Sequence, residues 1–168
     1  VADKLVSDYP INENAFALRD LLARTLETTV AVFESYGVPL PSRQYWCIGA
    51  PAEDCEQVVV SLVQTYLGIP GDQASEVQNC NSPRTAVINI HVTRNVIVGE
   101  SGRAVRPERI ISSAEWVAVD TWVLMSEMQQ FDMDSLGMRG PGVIATVNST
   151  PPNGAVQTTT LNLSVAVL

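Results

Sequence analysis

Between Thr85 and Val98 the chain alternates. Ala86, Ile88, Ile90, Val92, Val96 and Val98 share one side, and Asn89, His91, Thr93 and Asn95 share the other. A period of two belongs to extended backbone, where successive side chains point to opposite faces; a helix would scatter these residues around its circumference. This segment therefore requires a sheet with one apolar face to bury. Arg94 interrupts that face, which places it near a rim or an interface.

The flanking segments supply the rest of the fold. Residues 1–10 read as an arm ending at Tyr9-Pro10. Asn12 or Asn14 is then suited to cap a helix. Ala15, Leu18, Leu22, Leu26, Val30 and Phe33 recur in steps of three and four, so they form one helical stripe. Gly37 supplies the stop, and Pro39 and Pro41 prevent a restart. Arg43 to Gly49 predicts a short strand, and Pro51-Ala52-Glu53-Asp54 a turn. Gln57 to Leu67, with Val58, Val59, Val60 and Val63, predicts a strand covered on both faces, with a helix left open as the alternative. Pro107 suits the first turn of a second helix, whose stripe is Ile110, Ala114, Val117, Ala118, Trp122, Met125 and Met128, fraying near Phe131. Val143 to Asn148 and Val156 to Val167 form a hairpin around Pro151-Pro152-Asn153-Gly154, with Leu161, Leu163, Val165 and Val167 on one face. The order helix, three strands, helix, two strands predicts an α+β fold: an antiparallel β-sheet of about five strands with its two main helices on one face. At 168 residues, the chain is expected to be a single domain, 1–168.

Charge and motifs narrow the chemistry. The net charge is −8, and no basic stripe of the kind that displaces counterions from nucleic acid is present. Nine of the ten basic residues are Arg, which suits planar pairing at subunit interfaces. No apolar run approaches the roughly 20 residues of a membrane helix, and Val1-Ala2-Asp3-Lys4 is not followed by a signal core, so folding in a cytoplasm is expected. His91, the only histidine, reads as a satisfied or polar-face sheet residue; a nucleophile pair with Cys47 or Cys55 has no local signature. Asp132-Met133-Asp134 and Glu53-Asp54 lack the spaced oxygens of a calcium loop and read as solvated turns. Gly137 to Gly142 matches no phosphate-binding loop. No catalytic, cofactor or metal residue is therefore assigned, and the expectation is a non-enzymatic protein. Cys47, Cys55 and Cys80 do not have zinc-site spacing. Either all three are thiols, or Cys55 and Cys80 form a disulfide that clips a long loop after release into an oxidising environment.

Apolar surface exceeds what the two stripes account for. Trp116, Val119, Val123 and Leu124 lie outside the main stripe of the second helix, and the last strand ends in Ser164-Val165-Ala166-Val167-Leu168. Either a larger core takes these residues or partner subunits cover them. Two loops suit contact with neighbours: Gly68 to Pro83, with Asp72 and Glu76, and Gly99 to Arg106, with Glu100, Arg103 and Arg106. Arg84, Arg94 and Arg103 are the candidates for salt bridges to acidic neighbours.

Several short motifs in Gln44 to Arg94 carry a family resemblance: Asp54-Cys55-Glu56-Gln57, Tyr66-Leu67-Gly68-Ile69-Pro70-Gly71, Cys80, and Pro83-Arg84 before a strand. With the second helix and the final hairpin, the chain resembles virion neck proteins of long-tailed phages of actinobacteria, and within them the tail terminators. The resemblance implies a ring, usually a homohexamer, that caps the tail tube, docks to a head-side connector or stopper protein and lets DNA pass through its lumen without specific binding. It implies assembly in the host cytoplasm and residence in the virion. A head-to-tail stopper or adaptor and a tail tube protein are the alternatives within the class; a small Cys/His-dependent hydrolase is the alternative outside it.

Overall fold

The computed structural model describes residues 16–52, 54–71, 84–97, 105–130, 144–153 and 155–167, with Glu127–Gln130 and Ile144 described in backbone only. Seven elements follow in chain order: α1 (Ala17–Ser35), β1 (Gln44–Ile48), β2 (Gln57–Leu67), β3 (Arg84–Asn95), α2 (Pro107–Gln130), β4 (Ile144–Ser149) and β5 (Val156–Val167). They form an α+β fold around one five-stranded sheet of order β1-β2-β3-β5-β4. Asn12, Asn14 and Ala15 lie outside the described residues.

β3 adopts the predicted alternation. Ala86, Ile88, Ile90 and Val92 are fully buried in the core with Val58, Val60, Leu62, Leu161, Leu163 and Val165 from the strands on either side. The register explains this grouping, because Val60 and Leu161 both sit opposite Ile90, while Leu62 and Leu163 both sit opposite Ile88. Residues paired in this way share a face. α1 packs on β1 and β2, α2 on β3, β5 and β4, and the two helices touch. The helices therefore form one layer over one face of the sheet.

The sheet is mixed, which corrects the antiparallel expectation. β1 pairs with β2 in parallel, Gln44 opposite Val58 and Ile48 opposite Leu62, while the other three pairings are antiparallel. Residues 49–56 make the return. An eight-residue segment reaches about 26 Å when extended, and a five-residue strand spans about 17 Å, so a bare loop suffices. Gly49 begins the reversal at φ +84°, a conformation that L residues rarely adopt. Ala52 accepts from the Gln57 side chain, and Tyr45 Oη donates to Gln57 Oε1 at 3.1 Å. The returning loop thus covers Tyr45 and Gln57 on the helix-free face of the sheet.

Both helices are rotated from their predicted faces. In α1 the buried residues are Leu21, Leu22, Thr25, Thr29, Val32 and Phe33. Two threonines enter the core because their hydroxyls donate back to Leu21 O and Thr25 O, each at 2.8 Å, leaving only methyl groups to pack. Gly37 closes the helix at φ +66°, as predicted. In α2 the buried residues are Asp120, Val123 and Leu124, whereas Ile110, Ala114, Ala118, Trp122 and Met125 of the predicted stripe are exposed.

Candidate functional site

The rotation of α2 has a definite cause. Asp120 is completely buried and meets Arg94 of β3 in a two-point pair, Nε to Oδ2 at 2.9 Å and Nη2 to Oδ1 at 2.8 Å. The third guanidinium nitrogen donates to Pro39 O at 2.9 Å, and the guanidinium lies 5.0 Å from the centre of the Trp116 ring. A planar fork with donors on three sides satisfies this geometry, and an ammonium would not. Arg94 was expected to bridge to a neighbouring subunit. It instead ties β3, α2 and the segment after α1 together within one chain.

Turning Asp120 inward turns the predicted stripe outward. At 3.6 residues per turn, Ile111, Ala114, Ala118, Trp122 and Met125 fall within an arc of roughly 80°, opposite Asp120. Trp122 is 64% exposed and Ile111 57%. α2 is therefore apolar on two faces. One packs on the sheet and the other meets solvent, and a helix apolar all round is ordinarily covered. Thr121, on the margin between the two faces, lies 3.3 Å from Ser149 at the end of edge strand β4, and Trp116, on the sheet-facing side, reaches Arg94 of β3.

The opposite edge carries a second apolar patch. Trp46 and Ile48 pair with Val60 and Leu62 and so lie on the helix-covered face. Yet Ile48 is 76% exposed, and Trp46 is exposed too, although α1 packs on β1. Among the described residues β1 and β4 each have one partner strand, which leaves a row of backbone donors and acceptors on both outer edges.

The remaining sequence candidates resolve as follows. Arg84 is exposed at the start of β3, and Arg106 is exposed just before α2. Asp72, Glu76, Glu100 and Arg103 lie outside the described residues. So does Cys80, and with it the Cys55–Cys80 pairing; Cys47 and Cys55 are free thiols. Arg43 reaches Cys55 Sγ at 2.8 Å and Asp54 Oδ1 at 3.1 Å, pinning the return loop to the start of β1. The Cys55 thiol, followed by backbone and Arg43 contacts, holds the exposed Asp54 carboxyl below the usual carboxylate range.

His91 is a satisfied sheet histidine. Its Nε2 lies 3.1 Å from Ser61 Oγ and its Nδ1 3.2 Å from Thr160 Oγ1, and a hydroxyl serves either neutral tautomer. Burial lowers its pKa. Ser61 is 1% exposed, and a hydroxyl stands where a nucleophile's histidine would be oriented by a carboxylate. Neither Cys47 nor Cys55 bonds to the ring; Cys47 Sγ contacts Gly49 O at 3.6 Å, and burial pushes its thiol pKa up. Among the described residues no group of three or more His, Cys, Asp or Glu is placed to hold a metal ion, and no helix is long and apolar enough to cross a membrane.

The two-faced helix was partly legible in advance. The excess of apolar residues on α2 was visible in the sequence; which of them faced outward depended on Asp120. Compared with known proteins, the chain matches no family model and no curated relative.

Proposed function

We propose that this protein is a non-catalytic structural subunit that assembles with copies of itself, and that it is a tail terminator: a ring at the head-proximal end of a phage tail that stops tube polymerisation and joins the tail to the head-side connector. The observation that carries the assembly reading is the second apolar face of α2. The neck position rests on the resemblance of Gln44 to Arg94 and of the last hairpin.

Ring closure requires a heterologous interface, in which two different surfaces of each copy meet and the rotation closes on itself. The two sheet edges suit this. β4 runs antiparallel to β1 through the intervening pairings, so β4 of one copy meeting β1 of the next would continue the sheet as an antiparallel ladder. DNA passes through the lumen in this reading, and a net charge of −8 favours passage over adhesion.

Native mass measurement tests the reading. Six chains of 18.2 kDa give a discrete species of about 109 kDa, visible as rings by electron microscopy. A monodisperse 18.2 kDa monomer at high concentration would refute it. Position within the neck is tested separately. A terminator copurifies with tails made without heads, a stopper stays with filled heads, and a tube subunit alone grows into long cylinders.

A further inference from the structure

We propose that neighbouring copies join in one strand register: β4 of one copy lies antiparallel to β1 of the next with Thr146 opposite Cys47, and both helix layers lie on the same side of the continued sheet. This inference rests on the assembly reading and names the residues of one of its interfaces.

The two edges carry no device that would keep strands apart. Among the described residues β1 and β4 are the ends of the sheet. Edge strands are ordinarily blunted by charge, by Pro or by a bulge. Gln44–Ile48 and Ile144–Ser149 contain no charged residue and no Pro, and the register shift in the sheet falls between β2 and β3. Each chain brings both edges, running in opposite directions, so a second copy supplies the antiparallel complement of each.

The hydrogen-bond phase of the edges fixes the register. Val58 N donates to Arg43 O, and Gly49 N to Leu62 O. In a parallel ladder alternate residues make both bonds to the partner, so Tyr45 and Cys47 bond inward to β2. The backbone groups of Gln44, Trp46 and Ile48 therefore point outward. On β4, Thr150 N donates to Thr158 O, one step beyond the Ser149–Thr159 pair. Counting back in twos, Asn148 and Thr146 bond inward to β5, and Ala145, Val147 and Ser149 point outward. The outward residues of both edges lie on the helix-covered face, since Trp46 sits opposite Val60 and Val147 opposite Leu161. Antiparallel residues that exchange bonds share a face, so bonded edges keep both helix layers on one side. Two registers pair all of β1 within β4, with Cys47 opposite either Thr146 or Ala145. The second sets outward groups against inward ones and makes no ladder. The first makes three mutually bonded pairs: Gln44–Ser149, Trp46–Val147 and Ile48–Ala145.

Cys47 and Thr146 then form a non-hydrogen-bonded pair with Cα atoms about 4.5 Å apart, a separation that a disulfide spans. The test uses the full chain with Cys55→Ser and Cys80→Ser, adding Thr146→Cys, Ala145→Cys or Asn148→Cys in turn. Diamide treatment of the assembled protein, read by non-reducing denaturing electrophoresis, should link Thr146→Cys chains into multiples of 18.2 kDa. Linking should be about tenfold faster than in the other two variants and absent after Cys47→Ser. A second arm keeps every native cysteine. Trp46→Pro removes an outward N–H and should weaken association about tenfold more than Trp46→Thr, which keeps it; circular dichroism should match between the two. Assembled protein in which Thr146→Cys does not link, or in which Ala145→Cys or Asn148→Cys links as fast, overturns this register and leaves the ring reading standing. So does equal association of the two Trp46 variants. A parent chain that stays monomeric at all concentrations removes the ring reading itself, and this pairing with it.

Discussion

The Arg94–Asp120 pair gives the sharpest energetic test of the fold. The Asp120 side chain is 0% exposed and that of Arg94 12%. Replacing Asp120 with Ala removes the partner of a cation that is almost wholly out of water. Breaking such a pair from one side costs about 3–5 kcal/mol, because an uncompensated buried charge remains. Small domains have about 5–15 kcal/mol in total, so this loss is about a fifth of it or more. With a urea slope of about 2 kcal/mol/M for a chain of this size, the unfolding midpoint should fall by roughly 1.5–2.5 M. Arg94→Met should cost a similar amount, since it leaves a buried carboxylate. The double variant Arg94→Met/Asp120→Leu should recover most of the loss, as apolar replacements of buried pairs are commonly neutral or stabilising by about 1–4 kcal/mol. Tryptophan fluorescence reports the transition, with Trp116 lying over the guanidinium. Measuring at two protein concentrations separates folding from assembly, because association raises apparent stability by mass action. An Asp120→Ala variant that loses less than about 1 kcal/mol, as an exposed pair would, refutes the claim that the pair is buried and orients α2. A double variant as unstable as the singles refutes the charge argument.

Four further outcomes are expected. Because burial lowers the His91 pKa below that of the unfolded chain, its contribution to stability is fully present above the unfolded value near 6.5 and is lost as pH falls towards the folded value; urea midpoints between pH 8 and pH 5 should decline, and the part due to His91 should vanish in His91→Gln. Gly37→Ala should destabilise by about 1 kcal/mol from backbone conformation alone, since a Cβ there meets nothing within 4 Å. Cys47 should react with a thiol reagent at neutral pH more slowly than a free thiol does, and a rate equal to that of free cysteine would contradict its raised pKa. Thr25→Val and Thr29→Val should each change stability by less than about 1 kcal/mol, because the carbonyls their hydroxyls reach are already bonded along the helix; losses above about 2 kcal/mol would show that those bonds carry weight.

Local spacing in the sequence determined the strands and helices of this chain: the alternation in β3 and β5, the Gly37 stop, the Pro107 start and the hairpin turn all depend on residues within a few positions of one another, and they hold. The tertiary structure decided what local spacing does not contain. Parallel pairing of β1 with β2 depends on where a loop travels, and the same turn residues serve either route. The face of α2 that enters the core depends on Asp120 finding Arg94, 26 residues away in the chain, and one such buried pair outweighs a longer apolar stripe. That choice left Ile111, Trp122 and Met125 in solvent and created the surface on which the proposed assembly rests. A periodicity names a face without saying which of two apolar faces is buried; a charge that needs its partner does.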